Sequence, residues 1–245
     1  MTAPEFIRLW DAPPFTVDFL DGMGGDLVIA FASVGHDSQK SPSPEFVGTA
    51  TGRGGPQPQR PALFVSDESR SWANDPGFGP ALLGAMAKLR EKAAIGRIAT
   101  IGLSMGGFAA LAATQILPVD VVLAFGPQYS VLPGLGPVDD RWRHWTSRLA
   151  APPLAQNLAF PTAPLPQTGR TWACLFHGLV DDREQAMAFP IRAGTDQLLF
   201  DGQTHSGLVP HLKARGGLSG MMEAALANDR RRLLRIAAAA GGQRR

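Results

Sequence analysis

Short apolar runs alternate along the chain with stretches in which apolar residues return every three or four positions. Short apolar runs predict strands, which we place at 15–20, 27–31, 62–65, 97–101, 119–125, 171–176 and 197–200. Helical spacing predicts helices at 80–94, 108–117 and 221–240, with a weaker helical signal at 142–149. Strands that alternate with helices are typical of a mostly parallel sheet with helices on both faces. The pattern therefore predicts an α/β fold.

Two long segments do not follow this alternation. Residues 35–60 are rich in Gly, Pro, Ser and Gln and are predicted to be mostly loop. Residues 126–170 are rich in proline and too long for an ordinary connection. We expect a single domain over residues 1–245, with 126–170 as a cap insertion that lies over one edge of the sheet.

Composition narrows the class of protein. The chain has 245 residues, and its 44% hydrophobic content excludes a wholly disordered protein. The 23 basic and 21 acidic residues leave a net charge of +2, which implies no charged partner. The arginines between 230 and 245 lack the interleaved aromatic residues of a nucleic-acid-binding stripe. We interpret them as the solvated face of a terminal helix and expect no nucleic-acid partner.

The single cysteine excludes an intramolecular disulfide and a multi-cysteine metal site. Cys174 lies in an apolar run, so we expect a buried structural thiol. No apolar stretch approaches the length of a membrane-spanning helix, and none is expected. The N-terminal residues lack the basic-then-apolar layout of a signal peptide, so the expected location is cytoplasmic.

The segment Gly102-Leu103-Ser104-Met105-Gly106 matches G-x-S-x-G. An ordinary glycine-rich turn gives the same letters by chance, but here a predicted strand precedes the motif and a predicted helix follows it. A serine held in a strained turn between strand and helix is lifted above the sheet edge. The helix N-terminus behind it offers N–H groups to a developing oxyanion. This context favours Ser104 as a catalytic nucleophile.

On this motif the chain resembles the α/β-hydrolase superfamily, and its elements follow the order of that family from about residue 15. The resemblance implies a mostly parallel central sheet with helices on both faces. It also implies catalytic residues in the chain order Ser, then Asp or Glu, then His. No metal and no organic cofactor are implied.

Five histidines compete for the role of the base. His36 precedes the serine, His144 lies in the proposed insertion, and His177 ends a strand in a His-Gly pair that the family uses structurally. His211 comes later, where a final helical region begins, and is expected at the surface. His205 lies in a polar loop directly after the last predicted strand, where the family carries its base. We therefore assign His205.

The acid is predicted from the strand end His177-Gly178-Leu179-Val180-Asp181, which matches the family pattern H-G-x-x-D. Asp181 would accept the imidazole N–H, fix its tautomer and stabilise the imidazolium. Asp182 is the direct competitor, since one of the two aspartates would cap the helix that follows. Asp139 and Asp140 remain further alternatives.

The oxyanion hole requires two N–H donors. The resemblance implies Met105, the residue after the nucleophile, as one of them. The second would come from the loop after strand 27–31, where Ser33 and Val34 are the candidates. His36 lies two residues further along and is a candidate for the same pocket, although an exposed loop histidine is the alternative.

Residues around 64–72, 126–130 and 139–142 are similar to a bacterial subgroup of α/β hydrolases associated with surface-polysaccharide functions. We expect Gln128, Tyr129, Trp72 and Trp142 to line the substrate pocket. The tryptophans would stack on a sugar or form the wall of an acyl pocket, the alternative being simple packing under the cap.

The sequence thus predicts a serine hydrolase that cleaves a carboxylic ester, or a thioester or amide, through an acyl-enzyme. The substrate would be a small-molecule or glycan-linked acyl compound. An acyltransferase with the same triad is the alternative, and a non-catalytic binding protein with the same fold is an alternative of another class. Oligomeric state is left open.

Overall fold

The predicted apolar runs form the centre of a nine-stranded sheet. The structure, a computed structural model, describes residues 5–35, 37, 39–55, 58–151, 156–167 and 169–245. The strands within these residues are β1 (Ile7–Ala12), β2 (Phe15–Leu20), β3 (Leu27–Phe31), β4 (Ala62–Asp67), β5 (Ile98–Leu103), β6 (Val121–Phe125), β7 (Trp172–Gly178), β8 (Thr195–Phe200) and β9 (Gly242–Arg244). Every residue of β3, β4 and β6 is buried, as expected for strands covered on both faces.

The sheet order is β1-β2-β4-β3-β5-β6-β7-β8-β9. Strands β3 to β8 run parallel to their neighbours within this set, whereas β1–β2, β2–β4 and β8–β9 are antiparallel pairs. The register pairs Phe31 with Gly102 and Gly102 with Ala124. The carboxyl ends of β3, β5 and β6 therefore meet at one edge of the sheet, which is where open α/β sheets bind ligands.

Eight α-helices cover the two faces of the sheet within the described ranges. They are α1 (Val47–Thr51), α2 (Phe78–Arg90), α3 (Met105–Ala112), α4 (Arg143–Ala150), α5 (Arg183–Ala188), α6 (Leu208–Ala214), α7 (Gly217–Leu226) and α8 (Arg230–Ala239). The apolar residues of α2 and α3 share one core with Leu27, Ile29 and Phe31 of β3. Those of α1, α6, α7 and α8 share the second core with Val28 and Ala30. The predicted α/β architecture is confirmed.

The prediction of one continuous final helix at 221–240 is wrong. Asn228 has a φ of 55°, which ends α7, and the carboxylate of Asp229 accepts the N–H of Arg232 at the start of α8. Asn is one of the few residues that adopt this left-handed conformation readily, and Asp is a preferred N-cap. Two helices therefore replace one. The edge strands β1 and β9 and the short helix α1 were also not predicted.

The C-terminal arginines are more than a solvated helix face. Arg230 donates two hydrogen bonds to the buried carboxylate of Asp196 at 2.6 and 2.7 Å, and Arg244 lies 2.8 Å from the same group. Burial alone would raise the pKa of Asp196, but hydrogen bonds from Arg230 and Trp172 outweigh it and lower that pKa. These contacts attach α8 and β9 to β8.

The proline-rich segment 126–170 connects β6 to β7 and packs on the rest of the domain. Its apolar side chains Leu132, Leu149 and Ala163 belong to the same core as α2 and α3. Asn74 accepts the N–H of Phe160 at 2.7 Å and donates to the Phe160 carbonyl at 3.1 Å. The weak helical signal at 142–149 corresponds to α4.

The described ranges hold neither a long apolar helix nor a cluster of metal-binding side chains. No described helix combines the length and the apolar character needed to span a membrane. The same residues contain no group of three or more His, Cys, Asp and Glu side chains arranged to hold a metal ion. Cys174 is fully buried in β7, and burial raises the pKa of its thiol well above the ordinary value.

His177 joins β7 to the segment that follows β6. Its side chain is completely buried, and its Nε2 lies 3.2 Å from the carbonyl oxygen of Pro127. Because a carbonyl can only accept, Nε2 carries the proton and donates it. Burial lowers the pKa of His177 to about 4. The folded protein therefore holds this imidazole neutral.

We predict that His177 makes the fold sensitive to acid. Below a pH of about 6.5 the unfolded chain binds a proton on His177, whereas the folded chain does so only near its lowered pKa of about 4. As the pH falls from about 6.5 to about 4, His177 alone should therefore lower the free energy of unfolding by about 1.4 kcal/mol per pH unit. Urea unfolding at a series of pH values gives the slope of the unfolding free energy against pH for the wild type and for His177→Gln, which keeps an N–H donor. The exposed His144→Gln should keep the wild-type slope, and equal slopes for all three proteins would contradict the prediction.

Candidate active site

Ser104 lies in a strained turn between β5 and α3. Its φ and ψ are 57° and −122°, a conformation that non-glycine residues rarely adopt. The N–H of Ser104 donates to the carbonyl of Phe125 at 2.8 Å, and its carbonyl accepts the N–H of Phe108 at 3.0 Å. These bonds fix the turn against β6 and the first turn of α3, so the serine stands at the carboxyl edge of the sheet.

The glycines of the motif allow this turn through close packing. A Cβ at Gly102 would collide with the carbonyl of Gly106, and a Cβ at Gly106 would collide with the carbonyl of Phe31. The turn therefore folds back on β5 and also presses against the end of β3. Side chains at either position would push these backbones apart.

His205 follows β8, and its imidazole is held by Asp182. The Nδ1 atom of His205 lies 2.8 and 3.0 Å from the two carboxylate oxygens of Asp182. The side chains of both residues are nearly completely buried, at 7% and 2% exposure. The other ring nitrogen, Nε2, is buried and has no hydrogen-bond partner within the described ranges. This arrangement fixes the tautomer of His205 and leaves Nε2 available as a base.

The geometry does not support Asp181 as the acid. Asp181 is exposed, and its carboxylate accepts the backbone N–H of His205 at 2.5 Å, so it supports the loop and not the ring. Asp182, the alternative, occupies the N-cap position of α5, but its carboxylate makes no capping hydrogen bond and faces the imidazole of His205 instead. Adjacent aspartates at a strand end point to different sides, and the sequence pattern does not reveal which side faces the histidine.

Arg141, from the segment between β6 and β7, is a second partner of Asp182. Its guanidinium donates to Asp182 at 2.8 Å and forms two bonds with Asp139 at 2.7 and 2.8 Å. Asp140 is exposed and lies 3.9 Å from Arg143 instead. Burial alone would raise the pKa of Asp182, but the bonds from His205 and Arg141 outweigh it and lower that pKa. Asp182 thus stays ionised, and sequence reasoning did not connect Arg141 with it.

Gln128 and Trp72 were expected to line the substrate pocket but are almost completely buried, at 1% and 0% exposure. The Gln128 amide donates from Nε2 to Ser104 Oγ at 3.0 Å, and its Oε1 accepts the indole N–H of Trp72 at 3.0 Å. A buried Trp72 cannot stack on a sugar. Gln128 therefore contacts the predicted nucleophile directly, and Trp72 is linked to it through Gln128.

The three predicted oxyanion donors differ in what surrounds them. The N–H of Ser33 donates to a carboxylate oxygen of Glu45 at 3.2 Å, and its hydroxyl donates to the same oxygen at 2.6 Å. Both donors of Ser33 are therefore hydrogen-bonded to Glu45, and the structure does not support the Ser33 N–H as an oxyanion donor. Met105 is the first residue of α3, where N–H groups have no partner within the helix. Val34, which follows Ser33 in the sequence, is buried, and its carbonyl accepts a hydrogen bond from Arg70 at 3.0 Å.

The remaining predicted pocket residues lie in different settings. His36 lies outside the described residues. Tyr129 is half-buried, with its ring against Phe189 at a centroid distance of 5.4 Å. Trp142 is half-buried with its ring centroid 5.5 Å from that of His205. Of the two, the structure therefore brings Trp142 to the ring of the predicted base.

Ser104 and His205 are only 2% and 6% exposed, so the site is almost closed to solvent. A cleft of about 400 Å³ is lined by Leu103, which precedes Ser104 in the sequence, by the apolar side chains of Phe46, Val47, Val209 and Leu218, and by the charged residues Glu45 and Lys213. A second cleft, of about 430 Å³, is polar and lies against Arg141 and Asp181.

Comparison with known proteins places this geometry in a structural class. No protein-family model matches the sequence, and no curated protein matches it. Solved structures do match. An acylaminoacyl peptidase of Pyrococcus horikoshii has a TM-score of 0.60 and 13% identity over 91% of this chain and 40% of its own. An esterase of Thermogutta terrifontis, Est2, has a TM-score of 0.53 and 18% identity over 82% of each chain. Est1E from Butyrivibrio proteoclasticus has a TM-score of 0.50 and 13% identity over 91% of this chain and 99% of its own.

The chain has the α/β-hydrolase fold. It spans only about 40% of the length of the acylaminoacyl peptidase it matches. Identities of this size establish architecture, whereas activity must be argued from the site itself.

We predict that Gly102→Ala distorts the serine turn. Its Cβ would meet the Gly106 backbone, so the free energy of unfolding should fall by about 1–3 kcal/mol or more. Gly79→Ala in α2 is the matched control, because its Cβ would lie 3.9 Å from Ile116, an ordinary contact. Thermal unfolding of both variants compares them. A Gly102→Ala protein as stable as Gly79→Ala would show that the turn does not need the close approach.

We predict that Asp182, and not Asp181, orients the base. Asp182→Asn should lower turnover of an activated ester roughly 10³–10⁴-fold, as expected when the tautomer of a triad histidine is no longer fixed. Asp181→Asn keeps an oxygen acceptor for the His205 N–H and should lower turnover less than about tenfold. Steady-state kinetics of the two variants decide between them, and the reverse order of effects would restore Asp181 as the acid.

Proposed function

We propose that this protein is a serine hydrolase that cleaves a carboxylic ester through an acyl-enzyme. The proposal is carried by one observation: a serine at positive φ on the turn between β5 and α3 shares the sheet edge with a buried His205–Asp182 pair. A strained backbone at such a turn persists only where the surroundings hold it, and strain of this kind clusters at functional sites. The free Nε2 of His205 supplies the base that the serine requires.

In the proposed reaction, the hydroxyl of Ser104 gives its proton to His205 Nε2 while Oγ bonds to the carbonyl carbon. Asp182 stabilises the imidazolium that forms. The N–H of Met105 donates to the oxyanion, with Val34 as the second candidate donor. His205 then returns the proton to the departing alcohol, and a water molecule repeats the sequence on the acyl-enzyme. This route requires that the Ser104 hydroxyl, which accepts a hydrogen bond from Gln128 in the structure, also donates its own proton to His205 Nε2.

The surroundings of the site support a proposal for the substrate class. We propose a small-molecule or glycan-linked ester whose acyl part lies in the apolar cleft next to Leu103. That cleft has room for a short apolar chain. The sugar-stacking role expected of Trp72 is not part of this proposal because the side chain is fully buried.

We predict that Ser104→Ala abolishes hydrolysis of p-nitrophenyl esters, measured over a series of acyl chain lengths. The same serine should be labelled by a fluorophosphonate probe and identified by mass spectrometry of the labelled peptide. Ser219→Ala on α7 is a matched control, because that serine is exposed and remote in sequence from the site. Hydrolysis that survives Ser104→Ala would disprove the nucleophile, and a wild-type protein without labelling would favour a binding role.

Acyl transfer to an alcohol is the second candidate. It is favoured by the near-complete closure of Ser104 and His205, because exclusion of water protects an acyl-enzyme from hydrolysis. Products formed in the presence of glycerol or a simple sugar distinguish the two reactions. Acylated acceptor in excess over free acid would identify a transferase.

A further inference from the structure

The hydroxyl of Ser104 accepts a hydrogen bond from a side chain that the predicted triad does not include. Gln128 Nε2 lies 3.0 Å from Ser104 Oγ, and both side chains are almost fully buried. Gln128 follows β6, the neighbour of β5 in the sheet, so it reaches the serine across adjacent strand ends. The contact is therefore part of the built interior of the site.

Trp72 determines which end of the Gln128 amide faces the serine. An indole N–H can only donate, so the amide group 3.0 Å from Trp72 Nε1 must be the oxygen. The NH₂ group is then directed to Ser104 Oγ. Gln128 can therefore only donate to the nucleophile, and it cannot remove the proton of the hydroxyl.

The position of Trp72 is itself held by a strained segment. Arg70, Trp72 and Ala73 have φ values of 50°, 49° and 59°. The carboxylate of Asp67 at the end of β4 accepts the N–H and hydroxyl groups of Ser69 and Ser71 at 2.5–2.9 Å. Backbone strain of this kind is retained where the surrounding structure enforces it. The end of β4 is thus shaped to place one indole N–H against Gln128.

We propose that Gln128 is a further catalytic residue and that Trp72 is its positioning residue; this inference rests on the proposed function of Ser104. When the Oγ proton moves to His205 Nε2, negative charge develops on Oγ, and the N–H of Gln128 stabilises it. The Oγ–carbon bond forms as the carbonyl electron pair moves to oxygen, and Gln128 keeps both its protons. In deacylation the same N–H stabilises Oγ as its bond to carbon breaks and the proton returns from His205.

The test is the rate at which a fluorophosphonate labels Ser104 in Gln128→Glu. The ionised carboxylate keeps an acceptor for the indole N–H of Trp72, but its other oxygen can only accept a hydrogen bond from the Ser104 hydroxyl and cannot donate to Oγ. We expect labelling to slow about 10- to 100-fold at pH 8, the usual worth of a hydrogen bond to a charged group. The deficit relative to wild type should shrink as the pH falls, because a protonated carboxyl donates again. The charged groups that surround this position, His205, Asp182 and Arg141, are the same in all variants, so the uncharged Gln128→Met protein measured over the same pH range isolates the effect of the added carboxyl group.

Two further variants separate catalysis from folding. Gln128→Met has similar length and no donor, and it should slow labelling to a similar extent without the pH-dependent recovery. Gln197→Glu is the matched control: this buried glutamine also accepts at Oε1, from Arg245, and donates from Nε2, to the Ala186 carbonyl. It should lower the melting temperature without changing the labelling rate of the folded protein.

The role of Trp72 is tested by Trp72→Phe against Trp10→Phe. Both changes remove an indole from the same core, but the buried N–H of Trp10 has no partner in the part of the chain that the structure describes. Trp72→Phe should slow labelling several-fold, whereas Trp10→Phe should label at the wild-type rate.

The outcomes distinguish this inference from the proposed function. If the wild type is labelled at Ser104 and both Gln128 variants label at the wild-type rate at every pH, the role of Gln128 is overturned and the hydrolase proposal stands. If Trp72→Phe labels at the wild-type rate, Trp72 does not position Gln128. If the wild type is not labelled at Ser104, the proposed function and this inference fail together.

Discussion

The backbone turn at Ser104 is the constraint on which the rest of the site depends. Its positive φ is compatible with the fold only because Gly102 and Gly106 let the turn pack against its own carbonyls and against the end of β3. The same turn directs Oγ to the edge where β3, β6, β7 and β8 also end. The other side chains of the site come from these strand ends, from the segment between β6 and β7 or from the segment after β4.

Charge at this edge is organised around one buried carboxylate. Asp182 lies between His205, which needs an anion to stabilise its protonated form, and Arg141, which keeps that anion ionised. Because Arg141 belongs to the segment between β6 and β7, the packing of this segment and the electrostatics of the acid–base pair are coupled. Displacement of the segment would remove from Asp182 a cation that helps to keep the pKa of this carboxyl low.

Much of the central sheet was predictable because its strands are buried on both faces and read as continuous apolar runs. Leu27 to Phe31 and Val121 to Phe125 are examples, and their predicted positions agree closely with β3 and β6. Edge strands carry a weaker signal, since β1 exposes most of its residues and β9 has three residues only. The final helix was predicted as one because helical spacing continues through Asn228, and only the left-handed turn at that residue divides it.

The sequence by itself determined the order of elements, the serine turn and the loop that carries His205, because each depends on local patterns of apolar residues and glycines. The tertiary structure decided which of two adjacent aspartates faces His205, since that depends on how β7 and α5 orient the chain. It also decided that Trp72 is hydrogen-bonded to Gln128 and Gln128 to Ser104, and that Glu45 accepts the N–H of Ser33. These contacts join residues far apart in the chain, and hydrogen-bond partners at such separations are set by packing and not by spacing along the sequence.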